Sequence, residues 1–171
     1  MDAWWQRLDG GLRAAMPSAT ALFLALLGVS AWPLPHLGPV MPPLAFIALF
    51  YWAAHRPDLF PPIVAFFLGL LNDFINGGPL GLSALLFTVA HQIIWRQRGL
   101  FAGHSFFILW LGFALAAALL MLAQWVLMGL LTWQPAPPVP ILVQTILAIL
   151  LFPLPCWIFI QLQRTVLSSN E

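Results

Sequence analysis

The chain has 171 residues, of which 62% are hydrophobic and 6% charged; it contains no lysine and carries a formal net charge of +1. Soluble domains carry about 25% charged residues, so this composition cannot build a water-facing surface and specifies an integral membrane protein. The small net charge offers no basic field for nucleic acid.

Residues 1–16 place Trp4, Trp5, Leu8, Leu12 and Ala15 at helical spacing, with Arg7, Asp9 and Arg13 elsewhere. The pattern predicts an interfacial segment at the headgroups, weakened by Gly10 and Gly11. The first span is expected over 17–33. Its length and the small residues Val29-Ser30-Ala31 also suit a cleavable signal peptide, but it is read as retained. Residues 33–43 hold five prolines and no charge and read as a loop. The second span, 40–55, closes before Pro57, because the residue preceding a proline disfavours helix. Asp58 is placed to cap the next helix, with Pro61 and Pro62 in its first turn.

The third span, 59–73, is short and is expected inside the bundle. It ends at Asn72-Asp73, followed by the turn Phe74-Ile75-Asn76-Gly77-Gly78-Pro79-Leu80-Gly81. A fourth span covers 81–95 and stops at Arg96 and Arg98. The fifth, 105–133, is longer than a bilayer needs. After a second uncharged proline-rich loop, the sixth span runs over 138–163, kinked by Pro153 and Pro155. Six spans put all six arginines on one side, which the positive-inside rule makes cytoplasmic, together with both termini. The fold class is therefore all-α: one polytopic membrane domain, residues 1–171, with six transmembrane helices.

Asp73 is the one acidic residue outside the termini and the Arg56/Asp58 loop. A carboxylate at the end of an apolar run is costly unless solvated or paired. The structural reading has it accept amides of the Asn76-Gly77-Gly78 turn, or bonds from Asn72 or Asn76; partner docking and ion coupling are the alternatives. Gly69, Gly77, Gly78 and Gly81, with Ala65 and Ala84, offer small surfaces for close helix approach. Asn72, Gln92, Gln124 and Gln144 read as interhelical hydrogen bonds ahead of ligand contacts. His91, Gln92, Arg96 and Arg98 with Arg56 outline a basic cytoplasmic face, read as solvated and topology-setting. Five tryptophans (Trp32, Trp52, Trp95, Trp133 and Trp157) fall near span boundaries as an aromatic belt, while Trp110 and Trp125 lie inside span five. Cys156 sits in an apolar run and reads as a small lipid- or core-facing residue.

No nucleotide-binding glycine loop, HExxH or CxxC motif occurs. His36, His55, His91 and His104 lack the i, i+3 or i, i+4 spacing of a helix-borne metal site, so no metal or cofactor is expected. Asp73 is expected at the outer face and His55, His91 and His104 at the inner one, separated by most of a bilayer. No catalytic residue is expected, and the chain does not read as an enzyme.

The ordered set Arg56-Pro57, Pro62, Gly69-Leu70-Leu71-Asn72-Asp73 and Gly77-Gly78-Pro79-Leu80-Gly81 resembles the signature of the MreD family. These are rod shape-determining proteins of the bacterial inner membrane. The resemblance implies a non-enzymatic scaffold of the cell-elongation complex that binds the transmembrane helix of MreC and helps position peptidoglycan synthesis. It also implies indirect association with RodA, a penicillin-binding transpeptidase and MreB, in contact with membrane lipids. The implied fold resembles the six-helix substrate-binding subunits of energy-coupling-factor transporters. Arg56, Pro57, Pro62, Gly69, Asn72, Asp73, Gly77, Gly78, Pro79 and Gly81 become the motif residues, structural or partner-binding. The alternative is a small-molecule or lipid-binding subunit of a membrane transporter. It predicts a polar pocket of roughly 300 Å³ or more lined by Asp73, Asn72 and Asn76.

Overall fold

A computed structural model describes the backbone of residues 2–28, 32–34, 38–40, 42–101, 105–133 and 137–167, and the side chains of 15–28, 42–100, 105–133 and 137–161. Among the described residues the fold is helical: α1 (Asp2–Leu27), α2 (Leu44–His55), α3 (Pro62–Asn76), α4 (Leu82–Arg96), α5 (Arg98–Phe101), α6 (Phe106–Thr132), α7 (Pro138–Leu151) and α8 (Pro153–Leu167). The expected interfacial segment and first span form one helix, α1, with Pro17 inside it. The proline-rich 33–43 segment, expected as a loop, contains a short antiparallel hairpin, β1 (Trp32–Leu34) on β2 (Gly38–Val40), with Trp32 opposite Val40. His36 and His104 lie outside the described residues.

The centre of the bundle is α2. Its ten residues from Ala45 to Ala54 are all buried, whereas α3 buries only Ala65, Leu68, Gly69 and Asp73. The third span, expected inside the bundle, is only partly buried as α3, and the second span takes the central place. A helix apolar on every side suits a core or a lipid-facing span equally, so hydropathy alone cannot separate them. Bulk decides the packing: Phe50 meets Phe113 and Phe152 edge-on, and Phe113 stacks on Phe152 at 4.2 Å. Cys156 is buried in the same core. Trp52, expected in a boundary belt, is fully buried and donates to Thr20 Oγ1 at 3.0 Å, joining α2 to α1.

The helix ends follow local chemistry. Arg56 closes α2 ahead of Pro57. Pro62 starts α3, where a missing amide hydrogen costs nothing. Asp58 does not cap α3, contrary to expectation; Pro61 stands at the cap, and Asp58 instead holds Arg56 at 3.2 Å. Between α7 and α8 the helix breaks at Phe152, before Pro153. A proline at 153 has no N–H to give the carbonyl of Ile149. The indole of Trp110, on α6, donates to that carbonyl at 2.9 Å. The break is thereby compensated from a neighbouring helix.

Among the described residues two stretches, Phe106–Thr132 and Pro138–Gln161, are long and apolar enough to cross a membrane, and Ala15–Leu27, Leu44–His55 and Pro62–Asn76 are shorter apolar helices. Large apolar side chains point outward from several helices, among them Phe67, Leu85, Leu115 and Leu142.

Candidate functional site: the α3–α4 hairpin and its cavity

The α3–α4 hairpin begins from a turn that glycine makes possible. Gly77 ends α3 with φ +65, and Gly81 precedes α4 with φ +99, both in the left-handed region. Gly81 has no side chain with which to cap α4. Asp73 supplies the cap from the preceding helix. Its Oδ2 accepts the Gly81 amide at 2.8 Å, and both oxygens accept the Ser83 amide, at 3.0 and 3.1 Å. A carboxyl group among the free amides of a helix N-terminus satisfies orphan donors and complements the helix dipole. The backbone carbonyl of Asp73 meanwhile accepts the amides of Gly77 and Gly78, closing α3. One residue ends a helix and begins the next.

The two helices then approach as closely as backbones can. A β-carbon on Gly69 would lie 2.5 Å from the Ala84 Cα and from the Ser83 carbonyl oxygen. Asn72 adds a bond across the pair, its Nδ2 donating to Ser83 Oγ at 3.2 Å. At the far end, the buried His91 of α4 donates through Nε2 to the carbonyl of Phe60 at 2.7 Å, fixing α4 to the segment before α3. His91 is thus a packing residue, and the expected solvated basic face loses it. Arg56 is engaged by Asp58, while Arg96 and Arg98 are exposed. The ion pair acts on Asp58 outside the apolar helices: burial pushes its carboxyl up, but the hydrogen bonds and charge of Arg56 outweigh that and hold it below the usual value.

Beside the hairpin lies a cavity of about 330 Å³, bounded by Gly28, Pro42 and Pro43 and lined by Asn72, Asn76, Gln124 and Gln144 among others. A smaller cavity of about 180 Å³ shares those four amide residues and adds Asp73 and Trp125 to its wall. These residues come from the C-terminal ends of α1, α3 and α6 and the N-terminal ends of α2, α4 and α7. α1, α2, α3, α4, α6 and α7 therefore alternate in direction, and Arg56, Arg96 and Arg98 stand at the other end.

A family model described as rod shape-determining protein MreD matches residues 12–165, nearly the whole chain. The chain belongs to the MreD family. No curated protein and no solved structure matches it. MreD proteins are membrane proteins that determine rod shape, and the apolar helices of this chain accord with that.

In this MreD chain the expected site residues divide between two places. Gly69, Asn72, Asp73, Gly77, Gly78, Pro79 and Gly81 converge on the hairpin turn, with the Pro79 carbonyl accepting the Leu82 amide at 3.2 Å. Arg56, Pro57 and Pro62 occupy the opposite end and do not approach them. The expected donors to Asp73 are corrected. The donors to its carboxyl lie beyond the turn, at Gly81 and Ser83, while the turn amides of Gly77 and Gly78 bind its main-chain carbonyl. Asn76 Nδ2 donates to the Asn72 carbonyl at 2.7 Å. Of the four intrahelical amides, Asn72 alone makes the expected bond between helices; Gln92, Gln124 and Gln144 make none among the described residues. The Phe60–His91 contact was missed, because residues 31 apart carry no local signal of pairing.

Proposed function

We propose that this MreD protein is a non-enzymatic scaffold of the bacterial cell-elongation complex. It crosses the inner membrane six times with both termini in the cytoplasm, in an arrangement like that of energy-coupling-factor substrate-binding subunits. It binds the transmembrane helix of MreC, and through MreC helps position RodA, a penicillin-binding transpeptidase and MreB for peptidoglycan synthesis. The observation that carries the reading is the family match over residues 12–165. Two features support it. The hairpin commits Asp73 to backbone amides, which suits a rigid frame better than a proton relay. Arg56, Arg96 and Arg98 gather at one end of antiparallel helices, as the positive-inside rule asks of a cytoplasmic face.

Depletion in a rod-shaped host tests it. Cells should round up, and MreC should co-purify with the protein from detergent extracts. Depleted cells that keep their rod shape would overturn the proposal.

A further inference from the structure

We propose that the cavity beside the α3–α4 hairpin binds an uncharged, hydroxyl- or amide-bearing group of the sugar-like kind. Gln124 on α6 and Gln144 on α7 line both cavities, and neither side chain makes a hydrogen bond among the described residues. Asn72 and Asn76 use their NH₂ groups on Ser83 and on the Asn72 carbonyl, which leaves their side-chain oxygens available. Two whole carboxamides and two further acceptors thus converge on one partly open space beside the hairpin turn. Such a set of donors and acceptors favours a polar occupant that can bond to several of them at once.

Charge narrows the class. Among the described residues no arginine or histidine lines either cavity, and the acidic side chain there, Asp73, already accepts three bonds from backbone amides. A phosphate or an ammonium would enter without a counter-charge. Carboxamides both donate and accept, which matches hydroxyl and amide groups. Size separates a ligand from a bridging water: about 330 Å³ is roughly ten times the ~30 Å³ share of one water and reaches the small-molecule range. Phe87 in the larger cavity and Trp125 in the smaller provide apolar and aromatic wall for a ring's carbon face.

Two sources of such a group fit. The larger cavity reaches the helix ends at Gly28, Pro42 and Pro43, which stand at the outer, aqueous end of the bundle in the proposed topology, where a free solute is at hand. The smaller shares Met121, Trp125 and Ile141 with an apolar groove of about 310 Å³ along α6 and α7, which could hold the chain of a lipid whose headgroup sits among the amides.

The test uses the full chain in phosphatidylcholine nanodiscs, with thermal unfolding as readout, since a ligand that binds only the folded state raises the midpoint. N-acetylglucosamine is the free probe, monoglucosyl diacylglycerol the lipid probe and glucose 6-phosphate the charged comparator. A saturable rise with either neutral probe is expected, and which probe acts identifies the source. Gln124→Leu and Gln144→Leu should each weaken that response about tenfold, while Gln92→Leu, outside the cavity, leaves it unchanged. The proposal is overturned if neither neutral probe acts, if the charged sugar binds as well, or if all three variants respond alike. Cell shape does not enter this experiment, so its failure is distinct from failure of the scaffold reading.

Discussion

Asp73 grips Ser83 with both carboxyl oxygens, at 3.0 and 3.1 Å, across a turn whose first glycines are tied to the same residue's carbonyl. The helix-ending and helix-starting bonds share one α-carbon, so the angle between α3 and α4 has little freedom. The hairpin is therefore expected to behave as one stiff unit.

Replacing Asp73 tests that unit directly. Asp73→Ala leaves the Gly81 and Ser83 amides without acceptors and removes a favourable charge from a helix N-terminus, a loss of about 2–4 kcal/mol. Asp73→Asn keeps one acceptor oxygen and should cost about half as much. Unfolding of both variants in detergent gives the order. Equal stability of Asp73→Ala and the parent protein would remove the cap from the account.

Gly69 and Gly77 are both helix-end or hairpin glycines, yet they should fail for different reasons. A methyl at Gly69 meets the Ala84 backbone at 2.5 Å, and neither helix can yield without moving the other. Overpacking of that kind costs about 1–3 kcal/mol and outweighs the gain in helix propensity. Gly77→Ala meets open space and bears only the left-handed backbone penalty, about 1 kcal/mol. Gly77→Asn should recover part of that loss, whereas Gly69→Ser should not be better than Gly69→Ala. Melting temperatures of the four variants decide it.

The hairpin was legible in the sequence and the centre of the bundle was not. Asn76-Gly77-Gly78-Pro79 announces a turn, and an acidic residue at the end of an apolar run announces a partner. What composition could not supply was direction. Asp73 reaches forward by eight and ten residues, a relation set by the angle of the returning helix. For α2, Ala45 to Ala54 are apolar on all sides, and in a bilayer both lipid and core accept such a surface. Gln124 and Gln144 read as interhelical partners because unpaired amides are costly; the cavity that separates them from partners is a property of the assembled bundle.

Trp110 and Pro153 should be energetically coupled, although they do not bond to each other. Pro153 cannot serve the Ile149 carbonyl, and the Trp110 indole serves it instead. Trp110→Phe should cost about 1–3 kcal/mol by stranding that carbonyl. In a Pro153→Ala background the helix regains its own donor, and the same substitution should cost much less. A double-mutant cycle reads the difference. Additive losses would show that the indole bond does not stand in for the donor missing at Pro153.

The Arg56–Asp58 pair predicts a small dependence on acid. The folded carboxyl of Asp58 titrates below its ordinary value of 3.8, because Arg56 stabilises the charged form. Stability from the pair is fully present above that ordinary value and is lost as pH falls through the folded one. Because Asp58 is exposed, the loss should be only a few tenths of a kcal/mol. Asp58→Asn should abolish the difference between pH 6 and pH 3 that this pair contributes, as seen by comparing the two proteins at both values. An unchanged difference would assign the acid sensitivity elsewhere.

The proposed orientation rests on the end of the bundle at which each turn stands, and single cysteines can read it. Cys156 is buried, and replacing it with serine gives a background in which a new thiol can be placed at will. At Asn76, exposed beside the hairpin turn, a cysteine should react in intact spheroplasts with a maleimide that cannot cross membranes. At Gly99, next to Arg98 at the opposite end, it should react only after the membrane is broken. The six-span proposal requires these opposite behaviours, because α3 and α4 run antiparallel and their connecting turn cannot share a side with α5. Labelling of both sites from outside would leave α4 short of a crossing, and labelling of neither would place the hairpin turn in the cytoplasm or bury it. Labelling at Gly99 alone would invert the protein, against the arginines that the positive-inside rule holds in the cytoplasm.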